Sequence, residues 1–253
     1  MADAAKRSVL VTRPEPGLSD TCHALERLGW TPCVAPMLRI IPLPLRATGT
    51  FDRVVITSAQ SLDALRASVP LDIPLTAVGA KTAERARTLG FVQVDHASGT
   101  AESLIPHLGR ADKAQPSHER SLLLATGRNL GADLATQLRA GGWRVQRRVV
   151  YRTEPEAALT AHARALLHEE RVAAILFYSA VTAAAFLDAL GSDRAFLRSV
   201  RALALSSRIA SVLHQAPFGE IAIASQPDQN SLLRLLGPLP LHGHTQDWRP
   251  DTP

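Results

Sequence analysis

Short apolar runs rich in branched residues alternate along this chain with longer stretches whose apolar positions recur every three or four residues. The short runs are "VLVT" at Val9, "VVIT" at Val54, "LTAV" at Leu75, "LLLAT" at Leu122, "AILFY" at Ala174, "ALAL" at Ala202 and "IAIA" at Ile221; they read as strands. Helices are expected at Ser19–Leu28, Ser61–Ala67, Thr82–Leu89, Ala101–Leu108, Ala132–Ala140, Val181–Leu190, Ile209–His214 and Asn230–Leu236. In the first of these, Cys22, Leu25 and Leu28 form an apolar stripe, with Ser19 as the expected N-cap. Strand and helix in regular alternation predict an α/β protein built on parallel sheets.

The pattern also repeats. Ser8–Trp30 aligns without gaps on Ser121–Trp143, and "FDRVVITSAQSLDAL" and "LTAVGAKTAERARTLGF" find counterparts in "VAAILFYSAVTAAAFLDAL" and "ALALSSRIASVLHQAPF". A duplicated α/β unit accounts for this and predicts two similar lobes with a cleft between them. Two segments belong to neither copy. "MLRIIPLPLRA" at Met37 and "RVQRRVVYRTEP" at Arg144 are extended by composition and read as paired connections between the halves. "GRADKAQPSHER" from Gly109 reads as a polar surface excursion, and residues 241–253, rich in Pro, Gly and His, as a disordered tail.

Composition narrows the classes of function. The chain has 253 residues, 46% apolar, 20% charged and only 4% aromatic, so its core must be aliphatic. A formal charge of +5 comes mostly from dispersed arginines rather than a basic block, which suits a small polyanion and, with few aromatics to stack bases, argues against nucleic acid. No segment reaches about 18 consecutive apolar residues, so no membrane span is expected. The apolar run near the start is too short for a signal peptide, and the cytoplasm is the expected location. Cys22 and Cys33 lack metal-site spacing and read as reduced core thiols. The nine histidines are scattered with no H-E-x-x-H, so no metal site is expected. Ser179 lacks a G-x-S-x-G elbow, and no phosphate-binding glycine motif occurs.

In parallel sheets ligands bind beyond the carboxyl ends of the strands. The loops that occupy those places here are "TRPEPG", "TSAQS", "VGAKT", "TGRN", "YSAVT" and "LSSR". Hydroxyl and glycine residues leading into helix N-termini offer free N–H groups to anions. The same residues are also ordinary helix caps, and capping alone competes for each loop taken singly. Charge and loop position add Arg13 and Arg128 as candidate anion ligands, with surface solvation as their alternative.

Taken in order, "VLVTRP", "FDRVVITSAQSL", "AVGAKTAERARTLGF", "GRNLGADLATQLRAGGW", "VVYRTEP", "ILFYSAVTAAAF" and "PDQNSLL" resemble the uroporphyrinogen-III synthase family over about Val9 to Leu236. The resemblance implies two parallel-sheet α/β lobes joined by a two-stranded linker, one discontinuous (1–38 and 154–240) and one continuous (39–153). It implies closure of hydroxymethylbilane, with inversion of its last pyrrole through a spiro intermediate, to uroporphyrinogen III and water, without a cofactor. The substrate would be a polycarboxylate tetrapyrrole and the protein a monomer. Residue by residue, the resemblance carries the proton donor for the leaving hydroxyl to Tyr151, with hinge packing as the structural alternative. It carries substrate binding to Thr57, Ser58, Gly79, Thr82, Gly127 and Ser179; Ala59 and Lys81 in the same loops are further candidates, as is the second phenol, Tyr178, with core packing as its alternative. Two departures stand out. Ala59 and Gln60 follow "TS", and the second "G-x-x-T-A" has become Ser206, Ser207, Arg208, Ile209 and Ala210, where a side chain on Ser206 is expected to obstruct close backbone approach. Ser206 and Ser207 remain candidate hydroxyl ligands. The eroded motif keeps open a non-catalytic, anion-binding module on the same bilobed fold.

Overall fold

The computed structural model describes residues 7–46, 50–111, 120–237 and 239. Most of the Gly109 excursion and the whole segment expected as a tail lie outside them. The strands are β1 (Ser8–Val11), β2 (Thr31–Val34), β3 (Leu38–Pro42), β4 (Arg53–Ile56), β5 (Leu75–Ala77), β6 (Val94–His96), β7 (Ser121–Gly127), β8 (Arg144–Pro155), β9 (Val172–Phe177), β10 (Arg201–Ala204) and β11 (Glu220–Ile223). The helices are α1 (Leu18–Arg27), α2 (Leu62–Arg66), α3 (Ala80–Thr88), α4 (Leu104–Leu108), α5 (Ala132–Ala140), α6 (Ala161–His168), α7 (Ala180–Leu190), α8 (Ser207–Leu213) and α9 (Gln229–Arg234). The chain divides into two units, the first Met1–Arg39 with Pro155–Pro253 and the second Ile40–Glu154.

The first unit holds a five-stranded sheet in the order β11-β10-β9-β1-β2, every pair parallel. Alternate residues leave its two faces. Leu10, Ile175, Phe177 and Ala202 meet α6, α7 and α8 on one side, and Val9, Val11, Leu176 and Leu203 meet α1 and α9 on the other. Both faces are covered, so the central strands β1, β9 and β10 are apolar nearly throughout, as parallel strands must be when helices pack on both sides. Phe177 is fully buried and meets Phe186 edge-on at 5.3 Å; burying such a ring contributes about 1.5–3 kcal/mol.

The second unit holds six strands in the order β3-β8-β7-β4-β5-β6, with β8, β7, β4, β5 and β6 joined by parallel pairs. Val54, Ile56, Leu123 and Ala125 face one core, and Val55, Leu122 and Leu124 the other. The two extended connections are thus strands of this sheet, and both β3 and β8 run across the boundary between the units. Under the repeat alignment, β1, β2, β9, β10 and β11 correspond to β7, β8, β4, β5 and β6. The two sheets then share one strand order, and in each the order reverses at one place: between β1 and β9, and between β4 and β7.

Ser19 is not the cap of α1. Gly17 occupies that position without a side-chain bond, and the Glu15 carboxylate accepts the Ser19 N–H at 3.2 Å and its hydroxyl as well. An acidic side chain reaching the free N–H groups does the work expected of a serine hydroxyl.

Candidate functional site

The reversal point of a parallel sheet is where loops from adjacent strands splay apart and leave room for a ligand. In the second unit that place lies between β4 and β7, and Tyr151 stands beside it. Along β8 the register against β7 slips: Thr126 pairs with Val149, and Gly127 with Tyr151. The extra residue is Val150, and as a result Val150 and Tyr151, which would point to opposite faces of a regular strand, pack into the same core. The Tyr151 ring covers Gly127 so closely that a β-carbon there would lie 2.7 Å from two ring carbons. Glycine at 127 is therefore required by the ring rather than by its own dihedral angles. Tyr151 is 5% exposed. Burial pushes its pKa up, and hydrogen bonding with the Ser58 side chain and the Gly127 backbone pulls the other way without cancelling the rise. A phenol so placed keeps its proton throughout the neutral range.

In the first unit the reversal point lies between β1 and β9. The buried Thr12 hydroxyl donates to the Leu176 carbonyl at 2.6 Å and ties the two strands together just where their loops diverge. Arg13 follows, and its guanidinium lies over the Tyr178 ring, 4.2 Å from the centroid. Its Nη1 donates to Gln229 Oε1 at 3.4 Å, and Thr21 Oγ1 lies 3.1 Å from the same oxygen and 3.3 Å from the Tyr178 hydroxyl. Burial raises the Tyr178 pKa, opposed first by the Thr21 hydrogen bond and then by the Arg13 charge. Thr21 and Gln229 went unmarked in the sequence. Gln229 stands inside "PDQNSLL", directly after the Asp228 cap of α9, and a neutral side chain beside a helix cap carries no signal of its own.

The remaining candidates fall at the sheet ends as expected, with the capping role visible in two of them. Ser58 caps the 3-10 turn Ala59–Ser61 by accepting the Gln60 N–H at 3.3 Å, and Ser179 caps α7 by accepting the Thr182 N–H at 3.1 Å. Thr57 and Ala59 are half-buried beside them. Gly79 caps α3, where a β-carbon would come within 3.0 Å of the Gly99 Cα; Lys81 is exposed and Thr82 half-buried in the first turn. Ser206 caps α8 at an extended φ of −158°, which any residue adopts, and its side chain makes no capping bond. The replacement of glycine there therefore carries no backbone strain. Ser207 is exposed, as is Arg128, whose N–H donates to the Tyr151 carbonyl at 2.9 Å. Cys33 is buried in β2 and Cys22 half-buried in α1. Among the described residues no His, Cys, Asp and Glu side chains gather as a metal site would require, and no helix is long and apolar enough to cross a membrane.

A family model described as uroporphyrinogen-III synthase HemD matches residues 19–234. No curated protein sequence matches the chain. Among solved structures, the uroporphyrinogen-III synthetase of Helicobacter pylori 26695 is 20% identical with a TM-score of 0.60, the alignment covering 90% of this chain and 97% of that one. A mutant uroporphyrinogen III synthase of the extremely thermophilic bacterium Thermus thermophilus is likewise 20% identical over 90% of this chain and 96% of that one, with a TM-score of 0.47. At this identity the Helicobacter structure speaks to the fold, and the family model to descent.

Proposed function

Because the chain belongs to the uroporphyrinogen-III synthase family, we propose that it closes hydroxymethylbilane to uroporphyrinogen III, inverting the last pyrrole and releasing water. The family match across most of the chain is the observation that carries this reading. The chemistry asks little of the protein in covalent terms. Departure of the hydroxyl as water leaves an electrophilic azafulvene; attack by the substituted carbon of the terminal ring, followed by fragmentation and recombination, reverses that ring. The selectivity rests on positioning, since an unguided chain closes at the other carbon.

We assign Tyr151 as the donor of the proton that the leaving hydroxyl needs. A phenol held protonated by burial serves at neutral pH without further tuning. The loops carrying Thr57, Ser58, Ala59, Gly79, Lys81, Thr82, Gly127 and Arg128 in one unit, and Arg13, Tyr178, Ser179, Ser206 and Ser207 in the other, are assigned to the substrate's carboxylates. The reading includes a cytoplasmic monomer, no nucleic-acid partner, and domains divided at 38/39 and 153/154. Incubation with freshly generated hydroxymethylbilane, followed by separation of the isomers, tests the activity: the type III isomer is expected, and type I alone would sink the proposal.

A further inference from the structure

Arg13 is held on three sides by uncharged groups. The Tyr178 ring lies beneath the guanidinium at 4.2 Å, and Gln229 Oε1 accepts from its edge at 3.4 Å. On a third side Gly17 comes so close that a β-carbon on it would fall 2.0 Å from Nη2. Because a guanidinium only donates, the Gln229 amide must turn its carbonyl towards Arg13. Thr21 Oγ1 lies 3.1 Å from the same oxygen and 2.8 Å from the Gly17 carbonyl, and its single proton is shared between the two acceptors. The nearest acidic neighbour in sequence to Gln229 is already engaged: Asp228 accepts the Ser231 N–H at 2.8 Å and its hydroxyl at 2.9 Å. Arg13 is half-exposed and forms no salt bridge among the described residues. Its orientation is thus fixed while its charge stays uncancelled.

We propose that Gln229 is a positioning residue that holds Arg13 as a preset, un-neutralised cation for one carboxylate of the substrate. This deepens, and rests on, the reading of these loops as carboxylate-binding. A glutamate in place of Gln229 would fix the guanidinium equally well but would satisfy its charge, so the neutrality of the amide is the point of the arrangement. A preset guanidinium has little rotamer freedom left to lose when a carboxylate docks on it in a forked geometry.

Steady-state kinetics on the intact protein, with the isomers of the product resolved in the same assay, test the proposal. Gln229→Glu is expected to raise KM about tenfold with kcat nearly unchanged, as loss of one charge-assisted contact would. It should also flatten the dependence of KM on ionic strength. Arg13→Gln should raise KM to a similar degree, and adding the uncharged Gln229→Met to it should raise KM no further. Gln229→Met, which removes the clamp without adding charge, should raise KM by less, about threefold; it carries the test if Gln229→Glu fails to fold, as thermal melting would reveal. Type III product with KM unchanged in the folded Gln229 variants overturns the inference and leaves the enzyme reading standing. Absence of the type III isomer from the unmodified protein overturns the enzyme reading itself.

Discussion

The two reversal points share a strand order but not a chemistry. In the second unit the centrepiece is a phenol sealed into a core, 5% exposed, pressed close against a glycine. In the first it is a half-exposed arginine laid over the other phenol of the chain and clamped by an amide. One copy of a repeated fold holds a neutral group whose proton is retained by burial, and the other a fixed positive charge. The strand order is common property, while the side chain at the end of each strand belongs to one copy alone. Under the assignments proposed above, similar frames would carry dissimilar tasks, proton donation in one and anion placement in the other.

The sharpest way to break the contrast is to disturb the seat of Tyr151. Gly127→Ala would drive a methyl group into the ring, and the displacement is expected to lower kcat about 100-fold. Overpacking of this kind should also cost about 1–3 kcal/mol, measured by denaturant unfolding. Tyr151→Phe keeps the packing and removes only the hydroxyl, so kcat should fall at least about tenfold while KM holds. An unchanged kcat would return Tyr151 to packing alone. Tyr178→Phe is the matched comparison: the ring face beneath Arg13 survives and the hydroxyl lost is assigned to binding, not proton transfer, so kcat should change by less than about threefold and any loss should fall on KM. Equal losses from the two phenylalanine variants would erase the distinction between the units.

The smallest effect concerns pH. Burial pushes the Cys33 thiol up to about 11 from an ordinary 9.0, the nearby Cys22 adding to the rise. Between those values the unfolded chain has released a proton that the native chain still holds, so this contribution to stability is complete below pH 9 and is lost as the pH climbs towards 11. In denaturant titrations Cys33→Ala should remove that part of the alkaline slope, leaving the loss from Cys22, Tyr151 and Tyr178, whose pKa values burial also raises.

The seven runs read as strands are all strands; six are apolar segments largely buried within their sheets, and the seventh, β11, is an edge strand with Glu220 and Ile223 exposed. Two further strands escaped notice. β2 contains Pro32 and β6 contains Asp95 and His96; both lie at sheet edges, where one side of the backbone is unpaired and proline or charge is tolerated. α6, "AHARALLH", interleaves histidine and arginine with its apolar positions, yet it carries local signals that went unread: the Thr160 cap and Ala163, Leu166 and Leu167 on one buried face. In the candidate site, loop ends and hydroxyls could be read from the pattern, but the register slip that turns Tyr151 towards Gly127 could not. Nor could the convergence of Arg13, Thr21 and Gln229: the pairing of β1 with β9 and the packing of α9 near α1 are long-range events with no local trace.

The chain leaves the first unit and comes back to it at almost the same spot. The Glu156 N–H donates to the Met37 carbonyl at 3.0 Å, and Arg39 pairs with Glu156 at 3.9 Å. Everything between is an inserted passage whose two ends arrive already fastened side by side. The entropic toll of closing so long a loop falls on those few backbone contacts, and a splice of a few residues across them would leave the first unit's sheet with every strand in place. In the language of gene architecture, the second unit is a cassette, and the meeting of Met37 with Glu156 is its socket.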